Sequence, residues 1–213
     1  MSPRLAHALA PLSLIGLLAG AAVAQSQPQA SPPTEAVLAK ATPQMKTVLD
    51  ALKTLGPKPI ESLPAPLARL QPSAADAVIQ VTQDKGIVAP DKLPPVGKVE
   101  MKTVPRPDGS LIPVRVYTPK GTGPSSVLVY YHGGGWVIAT LDTYDSSCRG
   151  LCSLNDAVVV SVDYRQAPEH KFPAAAEDSY AALQYVASNA GEFGGDPKKV
   201  AVVGRARSRP SPA

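Results

Sequence analysis

Two valine-rich apolar runs constrain the fold of this chain more than any other feature. They are SSVLVYY, which leads into HGGG, and DAVVVSV, which leads into DYR. Neither run alternates between apolar and polar residues, as a strand with one solvent-facing side would. Continuous apolar strands are typical of the centre of a sheet that is covered on both faces. The runs therefore predict two neighbouring central strands.

The segments around these runs predict the rest of an α/β unit. Two alternating runs flank the turn residues Pro107-Asp108-Gly109-Ser110, which indicates an antiparallel hairpin. Helical patterns follow at Tyr144–Leu154 and Glu177–Ala190, and KKVAVVG reads as a final strand. The second helix is expected to turn four side chains inward: Tyr180, Leu183, Val186 and Ala187. The order predicts a three-layer α/β sheet that begins with an antiparallel pair.

A helical segment, residues 34–95, precedes the sheet. PQMKTVLDALKTLG places an apolar stripe on one helix face and ends at Gly56-Pro57. The stripe consists of Met45, Val48, Leu49, Leu52 and Leu55. A second helix is expected to start at Ser73, with Asp76 three residues on, and to run towards Gly86. The first helix is amphipathic and needs a partner for its stripe.

The first 24 residues have the pattern of a secretory signal peptide. Arg4 precedes an apolar run through Leu9–Ala22, and Ala22-Val23-Ala24 offers a cleavage site before a proline-rich linker at 25–33. We therefore expect export to the periplasm or the medium. An uncleaved N-terminal anchor is the alternative, and no later segment is apolar over a length that spans a bilayer.

The charge distribution argues against a nucleic-acid partner. Of the formal net charge of +4, Arg4 and the tail residues Arg205, Arg207 and Arg209 account for all, so residues 25–204 are neutral. A nucleic-acid surface needs basic residues spread over a folded face. We predict no nucleic-acid binding.

The two cysteines, Cys148 and Cys152, lie four residues apart on the predicted helix with Tyr144 and Leu151 on the same face. Buried thiols in the role of small apolar groups are the favoured interpretation. A disulfide between successive helical turns would be poorly aimed, and a metal site lacks further ligands nearby. The prediction is therefore no metal and no cofactor.

The stretch YYHGGGW, Tyr130–Trp136, is the strongest chemical signal. It places His-Gly-Gly-Gly at the end of a buried strand, which is where open α/β sheets bind ligands. Consecutive glycines let backbone N–H groups face a ligand, as an oxyanion hole requires. A flexible turn and a phosphate cradle are the alternatives, although the dinucleotide spacing and the P-loop lysine are both missing.

Four stretches together resemble the hormone-sensitive-lipase-like branch of the α/β-hydrolase esterases. They are HGGGW, DTYDSSCRGLC, VVVSVDYRQAPEHKFPAAAEDSYAALQYV and FGGDPKKVAVVG, within Val99–Gly204. The resemblance implies that residues 96–204 form the N-terminal part of a three-layer α/β-hydrolase sheet, with the C-terminal half missing. It also implies that residues 34–95 form a helical cap over the acyl pocket. Gln166 departs from the family pattern, which has leucine there.

The resemblance implies a serine hydrolase of short-to-medium acyl esters that uses no cofactor. The backbone N–H groups of Gly134 and Gly135, together with Gly133, would bind the oxyanion. Trp136 would border the substrate cleft, and His132 would support the loop rather than act as a base. Five further motif residues read as structural: Arg165, Glu169, His170, Glu177 and Asp178. Ala167-Pro168 and Phe172-Pro173 are hypothesised to be cis bonds.

The nucleophile that the family needs is missing from the sequence. A G-x-S-x-G elbow should follow VAVVG, but Gly204-Arg205 is followed by Ala206. Ser208 is two positions out of register and precedes Arg209-Pro210, which cannot continue into the elbow's helix. The tail at 205–213 has the composition of a GC-rich gene read out of frame. We therefore expect a chain truncated before the catalytic serine, with no catalytic residue present.

Loss of the serine, the acid and the base predicts an inactive chain. His7 belongs to the signal peptide, His132 to the glycine loop and His170 to a turn, so none is left as the base. An uncovered last strand would favour aggregation or self-association. A non-catalytic ester- or lipid-binding protein is one alternative. A sequence error that hides a full esterase is another.

Overall fold

The computed structural model describes residues 39–87 and 93–204. The predictions of a signal peptide at 1–24, a linker at 25–33 and an aberrant tail at 205–213 lie outside the described residues. Within the described part of the chain, no helix has the length and apolar character needed to cross a membrane.

Three helices form the N-terminal helical segment: α1 (Pro43–Leu55), α2 (Ala65–Arg69) and α3 (Ala74–Asp84), with a 3-10 turn at Ile60–Ser62. Both predicted helices are therefore present. Ser73 and Asp76 form the expected capping box, in which each side chain bonds the other residue's backbone N–H. Helix α1 packs against α3, although Met45 of its apolar stripe remains 51% exposed.

Five strands form one mixed sheet in the order β1-β2-β4-β3-β5. The strands are β1 (Lys98–Pro105), β2 (Leu111–Thr118), β3 (Ser125–Tyr131), β4 (Val158–Val162) and β5 (Gly195–Gly204). β1 and β2 are the predicted antiparallel hairpin, and β2 also pairs antiparallel with β4. β3 lies between β4 and β5 and is parallel to both. The valine-rich runs are therefore the central strands.

Helices cover both faces of the sheet, which confirms the three-layer α/β prediction. α5 (Ala174–Ser188) and a 3-10 turn at Ala190–Phe193 cover one face, over a core rich in valine. α4 (Asp145–Asn155) covers the other face, where Cys148 and Cys152 are buried and free. Burial raises the pKa of both thiols to about 11, so they remain protonated at neutral pH.

The prediction that Tyr180 points inward is wrong, because this side chain is 63% exposed. Val186 is buried and Leu183 packs against the core, as predicted, but α5 begins at Ala174, three residues before the predicted start, and further residues are buried on this face. The buried residues of α5 are Ala174, Asp178, Ala181, Ala182 and Val186. Small alanines let the helix approach the sheet closely. The buried carboxylate of Asp178 was not expected on this face, and two arginines explain it, as described below.

Candidate active site

The glycine loop leaves the sheet at the carboxyl end of β3. β3 is flanked by two parallel strands, and its last paired residue is Tyr131. His132 therefore begins a loop at the edge where open α/β sheets bind ligands. The sequence-predicted site residues 132–136 lie together here because they are contiguous.

Backbone geometry explains why the loop needs glycine. Gly134 has φ +127° and Gly135 has φ +60°, and residues with side chains rarely adopt such values. A Cβ atom on Gly134 would also overlap the carbonyl oxygen of Ile138. Trp136 and Ala139 also have positive φ, at 61° and 71°. The loop is a tight turn in which only glycine fits at position 134.

The carbonyl groups of His132, Gly133 and Gly134 accept hydrogen bonds, whereas the glycine N–H groups of the loop donate to none of the described residues. The Gly134 carbonyl accepts hydrogen bonds from Val137 N at 3.1 Å and Ile138 N at 3.0 Å. The Gly133 carbonyl lies 2.9 Å from His132 Nδ1. Among the described residues, no group accepts a hydrogen bond from the backbone N–H of Gly133, Gly134 or Gly135. Three successive donors are thus left for a ligand.

The buried side chain of His132 stabilises the loop. Its ring is 3% exposed and stacks on Tyr164, with 4.4 Å between the ring centroids. Because the Gly133 carbonyl can only accept, Nδ1 carries the proton of that 2.9 Å bond. Burial lowers the pKa of His132, which keeps the ring neutral at pH 7. Within the described part of the chain, Nε2 is buried without a partner.

The Tyr164 hydroxyl completes this support. It donates to the His132 carbonyl at 2.6 Å and lies 3.2 Å from Nδ1. Sequence reasoning missed this residue, because the bond joins positions 32 apart in sequence. The motif DYR contained Tyr164, but no local pattern pointed from it to the loop.

Replacing Tyr164 with phenylalanine is expected to lower the free energy of unfolding by about 1–2 kcal/mol, since a buried carbonyl loses its donor. Urea unfolding followed by circular dichroism measures this loss. Tyr185→Phe is the matched control, because its hydroxyl reaches Glu192 at the surface. This control should lower the free energy of unfolding by less than about 0.5 kcal/mol. Equal losses in both variants would contradict the support role.

Trp136 follows the glycines and is 66% exposed. Its carbonyl accepts a hydrogen bond from Ala167 N at 2.8 Å, which ties the loop to the turn after β4. In that turn the bonds Ala167-Pro168 and Phe172-Pro173 are both cis, which confirms the hypothesis. Position 206, where the family places its serine, lies outside the described residues.

Two ion-pair groups stabilise the surroundings of the loop. Asp178 is fully buried and bonds the guanidinium groups of Arg106 and Arg165 at 2.7–3.1 Å. Glu169 forms a paired contact with Arg69 at 2.8 and 2.9 Å. Hydrogen bonds from Arg69 hold the pKa of Glu169 at about 2. These contacts agree with the structural reading of Glu169 and Asp178.

Shallow depressions adjoin these ion pairs rather than the glycines. One of about 370 Å³ lies over Arg106 and Asp178, and one of about 390 Å³ lies beside Gln166 and Glu169. Neither is lined by Gly133, Gly134 or Gly135. Within residues 39–87 and 93–204, no group of three His, Cys, Asp or Glu side chains is placed to hold a metal ion.

Comparison with known proteins finds similarity to α/β-hydrolases and carboxylesterases over part of the chain. The model of a family described as alpha/beta hydrolase fold matches residues 128–206. The carboxylesterase NlhH of Mycobacterium tuberculosis is 46% identical over 134 residues, which are 62% of this chain and 42% of the relative. The carboxylic ester hydrolase LipN of the same species is 50% identical over 103 residues, which cover 48% and 27% of the two chains.

A solved esterase structure is also similar to this chain. A hyperthermophilic esterase from Pyrobaculum calidifontis superposes with a TM-score of 0.62 and 37% identity, over 76% of this chain and 49% of the esterase. The chain thus spans less than half the length of these relatives. The mixed sheet with helices on its two faces has the α/β-hydrolase fold, and over the matched residues the chain is similar to carboxylesterases.

Proposed function

We propose that the glycine loop is the oxyanion-binding part of a carboxylic-ester hydrolase site for short-to-medium acyl esters. The observation that carries the proposal is the set of three backbone N–H groups, at Gly133, Gly134 and Gly135, that find no acceptor within residues 39–87 and 93–204. Donors fixed in advance stabilise the negative charge that develops on the carbonyl oxygen during acyl transfer. Kinship with carboxylesterases supports the same chemistry.

We also propose that this sequence does not turn esters over by itself. Ala206 occupies the position of the elbow serine, and alanine has no nucleophilic atom. His132 Nδ1–H is bonded to the Gly133 carbonyl, and its basic atom Nε2 is buried, so His132 is not placed to act as the base. His170 is exposed in the turn after β4, where its N–H bonds the Gln166 carbonyl.

A non-catalytic ester- or acid-binding role is the second candidate. The unpaired donors remain although the serine is replaced, and this combination favours binding without turnover. Both candidates predict anion binding at the oxyanion loop, and both predict that this sequence does not turn esters over. One pair of experiments on the full chain tests anion binding and catalysis separately.

The first experiment follows the emission of Trp136, the single tryptophan of the chain, during titration with butylphosphonate. This probe is a tetrahedral anion that mimics the charge of the transition state. A saturable change is expected with the anion and none with its neutral dimethyl ester at the same concentration. Equal responses to the two compounds would contradict the oxyanion assignment.

The second experiment measures the release of p-nitrophenol from the acetate and butyrate esters. We expect the full chain to show neither a burst nor turnover above buffer. A burst equal to the protein concentration would show that a nucleophile is present and would overturn the inactive assignment. Phosphonate binding without turnover would support the oxyanion role of the loop together with the inactive assignment.

Export of the chain is a further proposal, supported by Arg4, the apolar run Leu9–Ala22 and the small residues before Gln25. Expression of the full chain in a bacterial host, followed by fractionation and N-terminal sequencing, tests it. A mature chain that begins at Gln25 outside the cytoplasm is expected. An intact N-terminus in the membrane fraction would instead support the anchor.

Self-association is also proposed, on the exposure of apolar residues at the two edge strands. Val202 in β5 is 53% exposed, and Met101 in β1 is 56% exposed. Edge strands with exposed apolar side chains tend to pair with other chains. Light scattering after size exclusion should show species larger than 22.1 kDa, and a monomer at all concentrations would contradict the proposal.

A further inference from the structure

The turn after the glycines is held from outside at every carbonyl from Trp136 to Ala139. Trp136 O accepts from Ala167 N at 2.8 Å, and Val137 O accepts from Arg69 Nε at 2.7 Å. Gln166 Nε2 donates to Ile138 O at 3.1 Å and to Ala139 O at 3.0 Å. We call this set of bonds the carbonyl clamp.

Arg69 is the member of the clamp that comes from the helical segment. It is the last residue of α2, and its side chain reaches two parts of the sheet domain at once. Besides Val137 O, the guanidinium donates to Ala167 O at 2.9 Å and to both oxygens of Glu169 at 2.8 and 2.9 Å. Only a planar guanidinium fork offers donors in this arrangement.

The clamp acts on the same turn that directs the glycine donors. Val137 and Ile138 donate their N–H groups to the Gly134 carbonyl and offer their own carbonyls to Arg69 and Gln166. Movement of these two residues would therefore rotate the Gly134 peptide. Since backbone N–H groups stabilise charge only when their direction is fixed in advance, the clamp bears on the donors themselves.

We propose that Arg69 is a positioning residue that couples the helical segment to the glycine loop, with Gln166 as its partner in the carbonyl clamp. The inference rests on the proposed oxyanion role of the loop and deepens it. One side chain of the helical segment then sets the conformation of the anion-binding backbone. Gln166 supplies two clamp bonds that a leucine at this position would not make.

Hydrogen exchange of the full chain without ligand tests the coupling. Arg69→Met should accelerate exchange at the amides of Val137, Ile138 and Ala167 by roughly tenfold, which corresponds to about 1.4 kcal/mol of local opening. Arg69→Lys should leave most of that acceleration in place, because an ammonium group cannot reproduce the fork. Trp136 fluorescence anisotropy should fall in both variants.

Lys102→Met is the matched control. Lys102 also joins distant segments, through a 2.8 Å bond to the Glu192 carbonyl and a contact with the Phe193 ring, and it bonds none of the clamp residues. The hydrogen-exchange rates of the loop amides in this variant should equal those in the parent chain. Equal loop exchange in Arg69→Met and the parent, or equal acceleration by the control, would overturn the proposal.

A second variant covers the case in which Arg69→Met does not fold. Gln166→Leu removes the bonds to Ile138 O and Ala139 O without deleting a charge, and it should accelerate the same amides several-fold. If amide exchange in this variant is not faster than in the parent chain, the proposed clamp is contradicted. Because exchange is measured without ligand, a failed phosphonate titration contradicts the oxyanion role alone, whereas unchanged exchange contradicts only the coupling.

Discussion

Replacing Asp178 with asparagine is expected to lower the free energy of unfolding by about 4 kcal/mol. The carboxylate is fully buried and bonds the guanidinium groups of Arg106 and Arg165, so its loss leaves two cations without their shared anion. Removing one partner of a buried ion pair typically costs about 3–5 kcal/mol, since the remaining charge stays desolvated. Urea unfolding at pH 7 measures the change.

The same residue predicts a pH dependence. Burial alone would raise the pKa of Asp178, but the hydrogen bonds from Arg106 and Arg165 outweigh it and hold the value at about 2. Because this pKa is depressed on folding, the stabilisation is complete above the unfolded value of about 3.9 and is lost as the pH falls towards about 2. Asp178→Asn should therefore flatten the stability curve in that window.

Asp50→Asn is the control for both measurements. Asp50 pairs with Lys46 on the surface of α1, where the Asp50 side chain is 63% exposed. Surface pairs of this kind contribute less than about 1 kcal/mol, so the variant should unfold close to the parent chain. A loss in Asp178→Asn no larger than in this control would contradict the importance of the buried network.

Replacing Gly134 with alanine is expected to lower the free energy of unfolding by about 3 kcal/mol. The position has φ +127°, which strains any side-chain residue, and the new Cβ would overlap the Ile138 carbonyl oxygen. Since that oxygen is backbone and is bonded to Gln166, it cannot simply turn away. The loop should rearrange, and butylphosphonate binding should be lost together with stability.

Gly150→Ala is the matched control, because it introduces the same methyl group at a place that accepts it. Gly150 lies within α4, and a Cβ there meets nothing within 4 Å. Alanine in a helix interior is favoured over glycine by about 1 kcal/mol, so this variant should be slightly more stable than the parent. Denaturant titrations of the two variants should therefore move in opposite directions. Movement in the same direction would contradict the account of Gly134.

The architecture was predictable from local patterns. The valine-rich runs predict β3 and β4 as central strands, and the turn residues 107–110 predict the hairpin. Both predictions are possible because strand burial and turn type depend on residues that are close together in sequence. The glycine loop was found in the same way. Its donors come from one contiguous stretch, so no knowledge of the tertiary structure was needed to group them.

What the sequence did not reveal depends on contacts between distant positions. Arg69 lies 68 residues before Val137, and α2 carries no motif that would single it out. Tyr180 was expected to be buried on apolar character alone, whereas Asp178 takes the inward position because two arginines neutralise it there. Gln166 was read only as a departure from leucine, and its two bonds to the loop depend on how the turn after β4 packs.

The buried carboxylate of Asp178 also governs how α5 sits on the sheet. Its two partners come from the turn of the hairpin and from the turn after β4, so three separate parts of the chain meet at one group. If α5 shifted along its axis by one turn, Ala174 or Ala182 would face the arginines, and the carboxylate would lose both partners. Apolar contacts between alanine and valine would tolerate such a shift far better. The network therefore selects one register of the helix against the sheet, because any other register would leave buried charges without a partner.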